Sequence, residues 1–454
     1  MPRLSLLALA LVLLAAAASA SAQTLPDAPT ERPVTLDEAA AVPPSDPTAD
    51  RPRNLVLMIA DGFGPASATM GAAAKGAPLA LDSLLVGSVE TSATDSRVTD
   101  SAAGATAYAC GIKTYNGAIS VDTTGAPCRT VLEAAEARGM ATGLVATSRI
   151  THATPASFAA HVASRGEEDE IADQMVRSGV DLLLGGGART FTARGDGRDL
   201  LAESGAVVVT DLASVPALTA SAPTVGLFAA SHLAYEVDRG RTDQPSLAEM
   251  ARRALDLLAA SEDGRARGFF LMVEGSRIDH AAHGNDPVGH LGDVLAYDRA
   301  VAAVLDWARR DGNTLVVSTA DHETGGLTLG RDGVYVWDPA PLLAATASFE
   351  GMTDQLAAGG DPAAVVRRGL ALDELPPGVE EAIRAAVASG DPYALGPVVR
   401  DLISEPAGVA WTTSGHTAVD VGLYAWGPGA DRFRGRMASD AVGRALFEAL
   451  GLDR

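Results

Sequence analysis

The chain contains only eight histidines, and five of them fall inside short strings of small, hydroxyl and acidic residues: His152, His280, His283, His322 and His416. In Glu274-Gly-Ser-Arg-Ile-Asp279-His280-Ala-Ala-His283, Asp279 and His283 stand four apart. On a helix they share a face, and a carboxylate paired with an imidazole suits Zn²⁺. Asp321-His322 is a second such pair, and His416 lies in Thr-Thr-Ser-Gly-His-Thr with no apolar flank. In Val98-Thr-Asp100-Ser101-Ala-Ala-Gly-Ala-Thr106, a serine is followed by small residues that open a helix. Small side chains let an anion reach the backbone, and a helix N-terminus favours negative charge. A serine there is a candidate nucleophile, weak until something such as a metal ion lowers its pKa. The Asp-Ser pair alone reads equally well as a helix cap.

These residues need elements to bring them together. Strand-length apolar runs end in polar residues again and again. Asn54 to Ile59 leads to Asp61, Thr142 to Thr147 to His152 and Thr154, Phe269 to Val273 to Glu274, and Thr314 to Ser318 to Asp321 and His322; a further run, Asp420 to Trp426, follows His416. Helices are predicted at Arg129 to Arg138, Glu168 to Arg177, Ser246 to Ala260 and Leu291 to Arg310. Apolar runs alternating with helices predict an α/β fold, doubly wound, with a mostly parallel central sheet flanked by helices. In such a sheet the ligand site lies beyond the carboxyl ends of the strands, so the strand-end polar residues should share one site. Residues 340–410 break the pattern. Asp361-Pro362, Pro376-Pro377 and Tyr393 start short helices ending near Gly369, Ser389 and Ile403. They predict a helical insertion before His416, beside the site entrance or at a subunit contact.

The 454 residues carry 35 basic against 57 acidic side chains, a formal charge of −22. No basic patch stands out, which argues against nucleic acid as a specific partner. Residues 1–22 read as a signal peptide: Arg3, an apolar run from Leu4 to Ala18, then the small-residue cleavage site Ala20-Ser21-Ala22, predicting a mature start near Gln23. Residues 23–53, rich in Pro and Ala, read as a linker. No second long apolar run follows, so no membrane anchor is expected after cleavage. Export would place Cys110 and Cys128 in an oxidising compartment; a bridge between them and a buried free thiol at Cys110 both fit the sequence.

Taken in order from about Asn54 to the C-terminus, the Asp100-Ser101 string, Val-Glu-Gly…Asp279-His280…His283, Thr-Ala-Asp321-His322 and Ser-Gly-His416-Thr resemble the alkaline phosphatase family. Asp61-Gly-Phe-Gly fits its first metal motif, and Thr154 and Arg165, eleven apart, fit its third-metal Thr and phosphate-binding Arg. The resemblance implies a catalytic domain over residues 54–454 that hydrolyses phosphate monoesters through a phosphoserine on Ser101. It implies two Zn²⁺ and one Mg²⁺ per chain. Asp279, His283 and His416 would hold the first zinc, and Asp61, Asp321 and His322 the second, beside Ser101. Asp61, Thr154 and Glu274 would hold the magnesium, whose hard oxygen ligands also fit on their own merits. Arg165 would clamp two phosphate oxygens, with Asp100 orienting it. His152 and His280 would support phosphate binding. The common periplasmic bacterial form has Asp and Lys at those two positions, and a shorter insertion; the histidine pair resembles the animal enzymes. A periplasmic or extracellular enzyme, with a homodimer left open, follows from the same resemblance. A phosphodiesterase or sulfatase would share the metal frame, but diesterases typically carry a threonine nucleophile and no arginine clamp. A non-catalytic binder of metal or phosphate would not need Ser101 between the ligand sets.

Overall fold

The computed structural model describes residues 51–215, 223–391 and 393–454. The expected leader and nearly all of the expected linker lie outside the described residues. The sheet grows from runs that are buried along their whole length: Asn54–Ala60 (β1), Phe269–Gly275 (β7) and Thr314–Thr319 (β8). Strands covered on both faces need no polar alternation, which is why they read as continuous apolar runs. With Leu85–Glu90 (β2), Ala141–Arg149 (β3), Leu182–Gly186 (β4), Val207–Val209 (β5), Thr224–Leu227 (β6), Val421–Trp426 (β9) and Gly435–Ala438 (β10), they form a ten-stranded sheet in the order β10-β2-β9-β8-β1-β7-β3-β4-β6-β5. Every neighbouring pair is parallel except the two that β9 makes. The run expected at Asp420 to Trp426 is therefore a strand, but an antiparallel one. An apolar run reports burial, not direction.

That reversal serves the site. Because β9 runs against β8 and β2, it starts at the edge where they end, so His416, ahead of β9, arrives beside His322, just past β8. In register, Ile59 of β1 faces both Glu274 of β7 and Thr319 of β8, and Ala146 of β3 faces Glu274. Asp61, Glu274 and Asp321 thus leave the sheet at the same level.

Helices cover both faces. Leu247–Ala260 (α3) is started by a capping box between Ser246 and Glu249. The predicted helix at Leu291 to Arg310 spans Pro287–Asp311 (α5): Asp286 accepts from the N–H groups of Val288 and Gly289, and Pro287 takes the first position, where no N–H is needed. The insertion contains Phe349–Ala357 (α6), Pro362–Gly369, Val379–Ser389 and Leu395–Ala407 (α7), besides the short Ala340–Ala344. It has its own core, in which Phe349, Met352, Val366, Ile383 and Val399 pack with Val288 and Leu291 of α5. Among the described residues no helix is long and apolar enough to cross a membrane. Cys110 and Cys128 are joined in a disulfide.

Candidate active site

Asp61 is fully buried and is followed by Gly62 at φ +73°. A Cβ on Gly62 would meet Asp279 Cα at 2.8 Å and Thr324 Oγ1 at 2.9 Å, so only glycine lets the β1 turn close this tightly on Arg277–His283 (α4). The Gly62 N–H donates to Asp321 Oδ1 at 3.2 Å, tying the turns after β1 and β8 together.

Ser101 is the first residue of Ser101–Cys110 (α1) and is 2% exposed. Asp100 caps that helix through Oδ1, accepting from Ala103 N–H at 3.0 Å. Its other oxygen accepts from Gly117 N–H at 3.0 Å and Arg165 Nη1 at 3.1 Å. One oxygen of Asp100 thus caps the helix and the other contacts Arg165. Asn116, which the sequence did not single out, accepts the Asp100 N–H at 2.8 Å.

A line of three imidazoles leads away from the serine. Ser101 Oγ lies 3.2 Å from His322 Nε2; the His322 and His416 rings stack with centroids 3.5 Å apart; and His416 Nε2 lies 3.1 Å from His283 Nε2. Their Nδ1 atoms are spoken for. His416 Nδ1 donates to Thr99 O at 2.8 Å and His283 Nδ1 to Ser414 O at 2.6 Å. Thr324 Oγ1 gives its hydrogen to Asp279 Oδ1 at 2.5 Å and so accepts from His322 Nδ1 at 3.2 Å. With Nδ1 protonated, each ring turns an Nε2 lone pair inward. Asp279 faces them, 3.3 Å from His283 Nε2 and 3.7 Å from His416 Nε2. Asp321 Oδ2 and Asp61 Oδ1 lie 3.2 Å and 3.6 Å from His322 Nε2.

The donor set fits cations. Both carboxylate oxygens of Asp61, Thr154 Oγ1, Glu274 Oε1 and Asp321 Oδ2 are buried without a hydrogen-bond partner. Left so, they would be costly. Donor atoms of three groups each converge within 4.8 Å: Asp279, His283 and His416; Asp61, Asp279 and His322; and Asp61, His152 and Glu274. Asp279 thus joins two groups, and His152 stands with Asp61 and Glu274 in the third. Thr154 lies buried in the first turn of Ala153–Ala159 (α2), which His152 precedes.

The electrostatics agree. Burial, then repulsion from Asp321, Asp279 and Glu274, pushes Asp61 well above the usual carboxylate range; burial pushes Glu274 up to about 7. Burial opposes a charge on His283, but its contact with Asp279 lifts it to about 9. A proton there offsets the Asp279 charge, as a cation on the same lone pair would.

A second trio of imidazoles sits among guanidinium groups. His152 Nε2 accepts from Arg165 Nη2 at 3.1 Å, and His280 Nδ1 from Arg277 Nη1 at 3.0 Å. The third member is His232, whose ring is 4.5 Å from that of His280 and 5.6 Å from that of His152. Arg149 Nη1 lies 2.6 Å from His232 Nε2. Burial, reinforced by Arg165 for His152 and by Arg277 for His280, holds both far below the ordinary imidazole range. His232 follows the four-residue β6 and sits in Ala-Ser-His-Leu, with no metal-ligand spacing to mark it; only its place past a strand end hinted at a role.

Residues 52–452 match the family model for alkaline phosphatase. Alkaline phosphatase 3 of Bacillus subtilis is 38% identical over 436 residues, covering 92% of this chain and 93% of that protein. The crystal structure of a cold-active alkaline phosphatase from the psychrophile Shewanella sp. superposes with a TM-score of 0.79 at 34% identity, covering 87% of this chain and 99% of that one. A histidine-to-aspartate mutant of TAB5 alkaline phosphatase, described with Mg bound in its M3 site, superposes with a TM-score of 0.67 at 29% identity, covering 89% and 99%. The chain therefore belongs to the alkaline phosphatase family and is a hydrolase of phosphate monoesters.

Proposed function

We propose that hydrolysis runs through a phosphoserine on Ser101. The observation that carries this is the position of Ser101 Oγ: buried, at the N-terminus of a ten-residue helix, and in the wall of a cluster of unpartnered oxygen and nitrogen donors. Asp279, His283 and His416 would hold one Zn²⁺, and Asp61, Asp321 and His322 a second; mixed nitrogen and oxygen donors suit that ion. Asp61, Thr154 and Glu274 would hold Mg²⁺, with His152 close by; oxygen donors suit it, and magnesium is the ion bound in the M3 site of the TAB5 mutant. When bound, these cations supply positive charge that lowers the pKa of the serine hydroxyl and of water and offsets charge on the phosphoryl oxygens.

The chain's own groups do the rest. Asp100 holds Nη1 of Arg165 and His152 holds Nη2, fixing a guanidinium fork that would take two oxygens of one phosphoryl group. Ser101 gives up its hydroxyl proton, Oγ bonds to phosphorus, and the alcohol oxygen departs on the opposite side with the bonding electrons and takes up a proton. Water then cleaves the phosphoserine, releasing inorganic phosphate and restoring the hydroxyl. The leader read at residues 1–22 supports export to the periplasm or medium. Acid quenching during turnover of a labelled monoester should trap label on Ser101, and Ser101→Ala should lose most activity while retaining its metals. Parent-rate turnover by Ser101→Ala would end this assignment.

A further inference from the structure

Next to the line of imidazoles lies a cavity of about 540 Å³. One wall is α4 and the loop after it, including His280 and His283; the other is the insertion, with Phe349 and Thr353 of α6 and Tyr393, Gly396 and Pro397 at the start of α7. We propose that this crevice is the subsite for the alcohol part of the substrate and that it selects monoesters whose alcohol carries a flat ring. The inference rests on Ser101 as the nucleophile and deepens that reading.

The direction comes from the site itself. Ser101, His322, His416 and His283 follow one another through contacts of 3.2 Å, 3.5 Å between ring centroids and 3.1 Å, and His283 is the member that lines the cavity. In phosphoryl transfer the attacking and leaving oxygens stand roughly in line. With Ser101 at one end, the leaving oxygen points toward the His283 end, and the group it carries enters the cavity.

The size and lining set the class. The volume is far more than a phosphate needs and falls in the range of small-molecule pockets of about 300–1,000 Å³. Tyr393, 82% exposed, offers a ring surface, and Pro397 and the 6%-exposed Phe349 add apolar lining. Gly396 leaves the space between them open: a Cβ there would meet Phe349 Cδ2 at 3.4 Å, an ordinary contact. Paired rings gain free energy from face and edge contacts beyond area burial. A small polyol such as glycerol would leave these surfaces wet. A flat ring reaches the crevice in two forms, bonded directly to the ester oxygen or carried on a sugar.

The test compares naphthyl phosphate, adenosine monophosphate and β-glycerophosphate on the metal-loaded full chain, in the parent, in Gly396→Leu, which fills the crevice, and in Tyr393→Ser, a surface change that spares the fold. The ring-bearing esters should lose about three- to tenfold in kcat/KM, the worth of one aromatic contact, while β-glycerophosphate stays within about twofold. Calorimetry should show benzylphosphonate losing the same factor in affinity and methylphosphonate little. Loss on naphthyl phosphate alone places the ring at the ester oxygen, and loss on adenosine monophosphate alone places it beyond a sugar; either supports the subsite. Equal losses on all three esters, or none, overturn it. A parent that turns over these esters without labelling Ser101 refutes the underlying reading instead.

Discussion

Replacing His152 by aspartate puts a charge where the structure holds a neutral ring. His152 Nδ1 is buried and unpartnered, and an aspartate Oδ hangs from the same Cγ, so a carboxylate oxygen would fall close to it. The donors of His152, Asp61 and Glu274 lie within 4.8 Å of one another. At an effective dielectric near 20, a unit charge at that distance costs about 3.5 kcal/mol against each ionised carboxylate. Arg165, 3.1 Å from His152 Nε2, returns an attraction of similar size. Two repulsions less one attraction leave a net loss of about 3 kcal/mol in the metal-free protein when both carboxylates are ionised.

That condition sets the pH. Glu274 is lifted to about 7 in the fold, above its value in an unfolded chain. The folded state therefore binds the extra proton, and stability falls as pH rises through that window. His152→Asp should match the parent near pH 5, where the cluster takes up protons, and show the full loss at pH 9. For a chain of this size the unfolding entropy is about 0.85 kcal/mol/K, so the loss is roughly 3 °C in Tm. Mg²⁺ should reverse the effect, its protective midpoint falling at least about tenfold, or 1.4 kcal/mol. Thermal unfolding of chelator-stripped protein, titrated with Mg²⁺ at both pH values, reads both quantities. A stripped variant as stable as the parent at pH 9, or an unchanged magnesium midpoint, would refute the reasoning.

Arg165→Ser should cost monoesters about ten- to a hundredfold in kcat/KM, the range for a charge-assisted hydrogen bond, and diesters clearly less; equal losses would contradict the clamp. Asp293 is buried and pushed up to about 8, chiefly by burial, while accepting the Glu236 N–H at 3.0 Å. Its fold-raised pKa lowers stability as pH rises toward 8, so Asp293→Asn, which keeps the acceptor, should melt with the parent near pH 5 and above it at pH 9; a parent that melts higher at pH 9 rules this out. Replacing Cys110 and Cys128 together by alanine opens a loop of 18-residue separation and should lower stability by about 3 kcal/mol, seen as a drop in Tm; no drop would mean the bridge contributes nothing.

Much of this site could be read from the sequence because its strands are buried on both faces. Asn54–Ala60 and Phe269–Gly275 are buried along their whole length, so the apolar runs 54–59 and 269–273 stand out and the polar residues that follow them, Asp61 and Glu274, are marked by position. The direction of Val421–Trp426 was not readable, since an apolar run looks the same either way round. α5 starts four residues before the expected Leu291, because Asp286 and Pro287 carry the capping signal and the apolar period begins only afterwards. Thr324 escaped notice because its part is set by two contacts, to Asp279 and His322, from elements far apart in the chain. The crevice between α4 and the insertion depends on how two separate cores meet, and no local pattern encodes that.

The histidines show why residue type alone does not assign a role. His283, His322 and His416 face Asp279, Asp61 and Asp321, and their Nδ1 atoms are held by Ser414, Thr324 and Thr99. Each has one nitrogen anchored and the other free to bind a cation. His152, His232 and His280 are as buried in polar company, but their neighbours are Arg165, Arg149 and Arg277. Guanidinium groups stay charged, so these imidazoles stay neutral and accept hydrogen bonds from them. A lysine at 280 would add a fourth positive charge to that group, beside Arg277 at the contact His280 now makes. A neutral ring there adds no fourth positive charge beside Arg149, Arg165 and Arg277. Of the three, only His152 touches Arg165, and it also stands with Asp61 and Glu274, so it joins the guanidinium group to the carboxylate cluster.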